Sequence, residues 1–208
     1  MTLRDRRDPW PTVHHETLAS GAVTTFVSDT VETPSGTIIT RQYLEHPGAV
    51  CIVPWNEATD EIAVLYQYRH PVGYVLVEIP AGLLDHDGES YAGAAKRELA
   101  EEMELQADRW NVLVDVFPSP GSYQETYRIF LARDLAPTSR PEDFVVEGEE
   151  AEMTWGFVPR SEVVDAILEG RCQSGALVTG VLALETARLL GRLSTLRPAD
   201  APWLARDD

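Results

Sequence analysis

The stretch from Ala81 to Leu105 constrains this chain more than any other. It opens as Ala81-Gly-Leu-Leu-Asp-His-Asp-Gly-Glu89 and runs on through Arg97-Glu-Leu-Ala-Glu-Glu102 to Leu105. Ser90 to Leu105 is Ala-rich, lacks Pro and β-branched residues, and follows a Gly/Asp-rich loop, which predicts a loop leading into a helix. At about 100° per residue, Glu98, Glu101 and Glu102 share one face beside a stripe of Ala92, Ala95, Leu99 and Met103. Like charges three and four apart on a helix cost roughly 0.2–0.5 kcal/mol per pair. Three carboxylates edging an apolar stripe therefore favour a cation, and hard divalent ions take oxygen ligands while leaving room for phosphate oxygens. A solvated acidic helix face would show the same residues.

The rest of the chain predicts strands before this helix and both strands and helices after it. Ala22–Glu32 and Thr37–Glu45 are β-branched runs joined at Pro34-Ser-Gly36, a hairpin pattern, after a polar and frayed first dozen residues. Residues 48–55 and 61–68 predict buried strands around a polar turn, and Val75–Ala81 a further strand closed by Gly82. Strands at 110–117, 125–132 and 153–158, an acidic loop at 137–150, and helices at 161–169 and 175–193 complete the chain. Strands grouped around a helix, with helices at the end, predict an α/β sandwich rather than a doubly wound parallel sheet.

Composition removes several functions. The formal charge of −17 disfavours a nucleic-acid partner, which draws on clustered Lys and Arg. No apolar run approaches the roughly 20 residues of a membrane span, and no signal-peptide pattern is present. Cys51 and Cys172 are unclustered, as expected of a reducing compartment, so a cytoplasmic location is predicted.

The spacing within Ala81–Leu105 resembles the Nudix box. Seven residues separate Glu89 from Arg97, and Arg97, Glu98, Leu99, Glu101, Glu102 and Leu105 match its second half. Two positions depart: six residues between Gly82 and Glu89 are one more than the family pattern, and Glu104 replaces a Gly. Extra length in a polar loop is cheap in closure entropy. Glu104 must either accept a left-handed turn, at about 1 kcal/mol, or let the helix run on.

The resemblance implies the Nudix fold, a mixed β-sheet sandwiched between helices. It also implies metal-dependent hydrolysis of a diphosphate bond, using Mg²⁺ with Mn²⁺ as the alternative. By position, Glu98 and Glu102 are metal ligands with the Ala81 carbonyl. Glu101 holds an additional ion or orients the others, and Arg97 with Glu89 and Gly82 is structural. Ser119-Pro-Gly121, with Pro120 fifteen residues past Leu105, resembles the bacterial ADP-ribose pyrophosphatase branch. So do Tyr66-Gln-Tyr-Arg-His70 and Glu78-Ile-Pro-Ala-Gly82.

That branch implies hydrolysis of ADP-ribose to AMP and ribose 5-phosphate, with Arg41, Arg69, Glu78 and Glu125 at the substrate. It also implies a homodimer that swaps N-terminal strands, with residues 1–46 serving dimerisation and 47–208 forming the hydrolase domain. Ser122-Tyr-Gln124 departs from the branch's small and acidic residues. Matching the acidic loop selects Glu150 as the catalytic base, ahead of Glu149 and Glu152. The alternatives are a Nudix enzyme acting on another nucleotide sugar or dinucleotide, and a non-catalytic ligand sensor on the same fold.

Overall fold

Period-two alternation in Ala49–Asn56 builds the core, because successive side chains of a strand point to opposite faces. Ala49, Cys51, Val53 and Trp55 enter one buried cluster, whereas Val50 and Ile52 enter another. A strand buried on both faces must lie inside a sheet covered by helices on each side.

The computed structural model describes residues 3–141 and 148–207. In chain order the strands are β1 (Thr12–Ser20), β2 (Thr25–Glu32), β3 (Ile38–Glu45), β4 (Ala49–Asn56), β5 (Glu61–Arg69), β6 (Tyr74–Glu78) and β7 (Ala81–Leu83). Helix α1 (Tyr91–Met103) precedes β8 (Leu105–Val116), β9 (Tyr127–Pro137) and β10 (Thr154–Pro159). The chain ends with α2 (Arg160–Leu168), α3 (Gly175–Leu189) and a short β11 (Arg197–Pro198). These elements fall into two units, Met1–Gly48 with Phe117–Thr126 and Pro202–Asp208, and Ala49–Val116 with Tyr127–Ala201.

In the larger unit the described strands make a mixed eight-stranded sheet in the order β10-β5-β4-β9-β8-β11, with β6 on β5 and β7 on β4. β4 and β9 pair in parallel and the other pairings are antiparallel. Val163 of α2 and Leu177, Val181 and Leu184 of α3 pack on one face. Ala94, Ala95, Leu99 and Met103 of α1 pack on the other. The expected sandwich of a mixed sheet between helices is the architecture found. Burying a side chain such as Leu99 or Met103 contributes about 1.5–3 kcal/mol.

Several element ends differ from the sequence expectation. The α1 helix begins after the Ser90 N-cap, whose hydroxyl accepts the Gly93 N–H at 3.0 Å, and it stops at Met103 rather than Leu105. Glu104 takes the left-handed conformation (φ 53°) and its N–H still reaches the Ala100 carbonyl, so the missing Gly is accommodated as strain. Pro80 splits the run 75–81 into β6 and β7, which pair with different neighbours. Gly191 (φ 65°) ends α3 at Leu189, short of 193.

In the smaller unit, β1, β2 and β3 form an antiparallel sheet rather than a hairpin alone. β1 is exposed along its whole length, so no buried alternation marks it; backbone pairing with β2 defines it.

A buried guanidinium ties α2 to the sheet. Arg160 donates from Nε and Nη2 to the two Asp60 oxygens at 2.8 Å each, and from Nη1 to Glu185. Trp55 Nε1 also donates to Asp60, at 3.0 Å. Arg160 is buried, but Asp60 is half exposed and Glu185 keeps a second partner in Arg188, so losing the guanidinium costs less than breaking a fully buried pair. Arg160→Ala is expected to lower the unfolding free energy by about 1.5 kcal/mol in urea denaturation at neutral pH. The Arg160 hydrogen bond, with that from Trp55, holds the Asp60 carboxyl below its ordinary range. A depressed carboxyl stabilises the fold above its unfolded pKa, and the contribution fades as pH falls through the depressed value. A loss within about 0.5 kcal/mol at neutral pH would make the cluster an ordinary surface pair.

Candidate active site

The acidic helix face meets the β7 turn in the larger unit. Glu98 and Glu101 are buried, at 9% and 8% exposure, although both carry carboxylates. Arg97 Nη1 donates to Glu98 Oε1 at 2.6 Å and to Glu101 Oε2 at 2.9 Å. The same guanidinium grips Glu89 at two points, Nε to Oε1 and Nη2 to Oε2, each 3.2 Å. Burial alone would lower the Arg97 pKa, but Glu89, Glu98 and Glu101 together hold it above its ordinary value. The Ala81 N–H donates to Glu102 Oε2 at 3.1 Å, which fastens the helix to the strand before the loop.

Gly82 is where Glu98 comes closest to the strand. A Cβ on Gly82 would stand 1.8 Å from Glu98 Cδ, so any larger residue displaces that carboxylate. Spacing alone gave Gly82 only the role of closing a strand. Among the described residues, no three His, Cys, Asp or Glu side chains stand together as metal ligands. Glu98 and Glu101 converge on Arg97, while Glu102 turns to Ala81. The donor set nevertheless fits a hard cation in its chemistry. It offers only oxygen, and Glu89, Glu98, Glu101 and Glu102 outweigh the charge of Arg97.

Arg69 and Glu78 lie in the same unit and bind each other, Nη2 to Oε2 at 2.6 Å and Nε to Oε1 at 3.2 Å. Glu78 is buried and Arg69 partly exposed. Glu150 falls in a 3₁₀ turn, Gly148–Glu152, that leads into β10. The side chains of Glu149 and Glu150, and all of residues 142–147 in the acidic loop, lie outside the described residues.

Arg41 and Glu125 belong to the smaller unit. An open groove of about 440 Å³ there is lined by Arg41, Gln42, Tyr43, Pro120, Tyr123 and Gln124. Arg41 sits on β3, exposed, with Nη1 on the Thr40 carbonyl at 2.9 Å. Tyr43 donates to Asp29 at 2.9 Å; burial and that carboxylate push the phenol up to about 12. Glu125 follows the groove segment, and burial raises its carboxyl above the usual range. The same structure thus places the Ser119-Pro-Gly121 signature beside Arg41.

The profile described as NUDIX domain matches residues 45–171, more than half of the chain. The chain belongs to the Nudix family. It is 41% identical over 195 residues to an ADP-ribose pyrophosphatase of Mycobacterium tuberculosis, covering 94% of this chain and 91% of that one. It is 29% identical over 160 residues to a GDP-mannose pyrophosphatase of Yersinia enterocolitica, covering 74% and 80%. A crystal structure of an ADP compounds hydrolase superposes with a TM-score of 0.72 at 23% identity, over 91% of this chain and all of that one.

Sequence reasoning passed over Arg128, which steadies the start of the Nudix helix. It is fully buried, donates to Asp115 from Nε (2.7 Å) and Nη2 (3.1 Å) and to the Ala201 carbonyl (2.7 Å), and lies 5.6 Å from the Tyr91 ring centre. A charge inside the apolar run Tyr127-Arg-Ile-Phe-Leu131 was the available signal, since such a residue needs a buried partner. No helix among the described residues is long and apolar enough to cross a membrane.

Proposed function

We propose that this Nudix enzyme hydrolyses ADP-ribose to AMP and ribose 5-phosphate. Water adds to one phosphorus of the diphosphate, the bridging P–O bond breaks, and the proton leaves water for a base. The observation that carries the reaction class is the burial of Glu98 and Glu101 around Arg97, beside the Ala81–Gly82 backbone. Burying carboxylates is costly unless they are matched by positive charge. Similarity to the mycobacterial ADP-ribose pyrophosphatase along nearly the whole chain favours the substrate.

In this reading Glu98, Glu102 and the Ala81 carbonyl hold the metal, Mg²⁺ with Mn²⁺ as the alternative, and Glu101 assists. A divalent ion supplies charge against the phosphate oxygens and makes water a better nucleophile. Arg97 and Glu89 fix the loop on the helix. Arg69, held by Glu78, meets the phosphates or ribose, Arg41 reaches the nucleotide bound by the other protomer of the dimer, and Glu125 meets the terminal ribose, with Glu150 as base. The protein is proposed to be cytoplasmic.

Residues 1–46 are assigned to a homodimer and residues 47–208 to the hydrolase domain. Phe26 and Ile38, which the β2–β3 register puts on one face of the three-stranded sheet, stay exposed, which suits a covered face in a two-fold dimer. Light scattering at micromolar concentration should give a dimer mass; a monomer with full activity would remove the dimer from the reading.

The test of function is hydrolysis of ADP-ribose, ADP-glucose, NADH and GDP-mannose with Mg²⁺, products identified by chromatography. ADP-ribose should lead by about tenfold or more in kcat/KM. A lead for GDP-mannose would favour the second reading, to which the Yersinia similarity points. No turnover on any substrate would favour a ligand sensor.

A further inference from the structure

Residues 202–207 belong to the smaller unit and fold there as a turn anchored by Trp203. Trp203 is 1% exposed, and the Arg206 and Asp207 N–H groups both return to its carbonyl at 2.8 Å. From this anchor Arg206 reaches the junction after β3. Its Nη1 donates to Thr126 Oγ1 at 3.3 Å and would stand 2.1 Å from a Cβ on Gly48. Gly48 is left-handed (φ 90°), so no other residue both adopts this turn readily and leaves room for the guanidinium.

The contacts continue from there to the groove. The Gly48 N–H donates to His46 Nδ1 at 3.0 Å. An accepting Nδ1 puts the proton of the neutral ring on Nε2. Burial, and then Arg206, depress the His46 pKa and keep that ring neutral. The His46 ring packs on Tyr123, centroids 5.4 Å apart and planes at 60°. Tyr123 is a wall of the groove that also contains Arg41 and Tyr43. The wall is fixed to β3 by Leu44 N–H to the Ser122 carbonyl (3.1 Å) and Gln124 N–H to the Leu44 carbonyl (2.8 Å). Its far end, Thr126, is the residue that Arg206 holds, one place after Glu125.

We propose that Arg206 is a positioning residue for substrate binding, holding the Tyr123 wall of the groove and the Glu125–Thr126 segment that follows it through Gly48, His46 and Thr126. This rests on the groove taking part of the nucleotide-sugar substrate, as proposed above. Aromatic faces, an arginine and amides suit a sugar or nucleoside joined to phosphate. Arg206 itself touches no reacting atom, so its loss should weaken binding and spare the chemical step.

The experiment is steady-state kinetics of the full chain on ADP-ribose with Mg²⁺ for wild type, Arg206→Ala and Arg206→Lys. Arg206→Ala should raise KM about tenfold while kcat stays within about twofold, and Arg206→Lys should recover part of the loss because a cation again reaches Thr126. NMR of the His46 ring should show its Tyr123-shifted resonances move in Arg206→Ala. If Arg206→Ala does not fold, Arg206→Gln carries the same test, with KM expected to rise at least about threefold. An unchanged KM in a folded variant, or equal loss in kcat, overturns the proposal. Wild type inactive on ADP-ribose would instead sink the functional reading, and the NMR shift would then report on the contact chain alone; an unmoved resonance overturns that chain.

Discussion

Glu98→Gln and Glu102→Gln should each lower kcat on ADP-ribose by about a hundredfold or more while the protein stays folded. The substitution keeps shape and removes charge, and a neutral amide is a poor ligand for a hard cation. Glu102→Gln is the cleaner of the two. Its amide oxygen can still accept the Ala81 N–H, which Glu102 accepts at 3.1 Å, so the β7 turn stays tied to the helix. Loss of turnover there would report charge rather than geometry. Glu98 sits against Gly82 with Arg97 Nη1 at 2.6 Å, so its amide must present oxygen to Arg97 and keep its NH₂ from the guanidinium. Raising Mg²⁺ should recover part of the activity if the metal has been weakened rather than lost. Kinetics would be read beside a thermal unfolding curve, and near wild-type turnover in either folded variant would mean the metal is held elsewhere.

The box was legible because its information is local. A 3.6-residue period and fixed spacing put Glu98, Glu101 and Leu99 where the structure has them, one residue type facing the loop and the other the sheet. The sandwich was legible from the order of elements, since strands grouped around one helix with further helices at the end call for packed layers rather than a doubly wound sheet. What escaped depends on partners far along the chain. β1 buries no side chain and exists through its pairing with β2. Arg128 needs Asp115 and Ala201, and Arg206 needs Gly48 and Thr126, contacts that no short window contains. Gly82 was legible as a glycine but not as the space Glu98 occupies. Glu104 posed two outcomes, and the strand β8 beginning at Leu105 requires the left-handed one, because a helix running on would consume its first residues.

Glu150→Gln is expected to lower kcat by about a hundredfold or more while calorimetric affinity for ADP-ribose changes little. The box glutamates are occupied: Glu89, Glu98 and Glu101 accept from Arg97, and Glu102 accepts from Ala81. A carboxylate engaged with a cation is a weak proton acceptor, so the base that deprotonates water should come from another segment. The Gly148–Glu152 turn packs against β5, the strand that carries Arg69, and runs directly into β10. That backbone position puts acidic residues beside the strand where the substrate's phosphates or ribose are assigned, on a segment introduced by a left-handed glycine, Gly148 (φ 56°). A base acts on the proton only as water attacks, so its removal should leave ground-state binding intact and appear in kcat. Parallel Gln variants at Glu149 and Glu152 set the register. If Glu150→Gln keeps wild-type turnover and one neighbour does not, the assignment shifts to that neighbour. If all three keep it, the base is not in this turn.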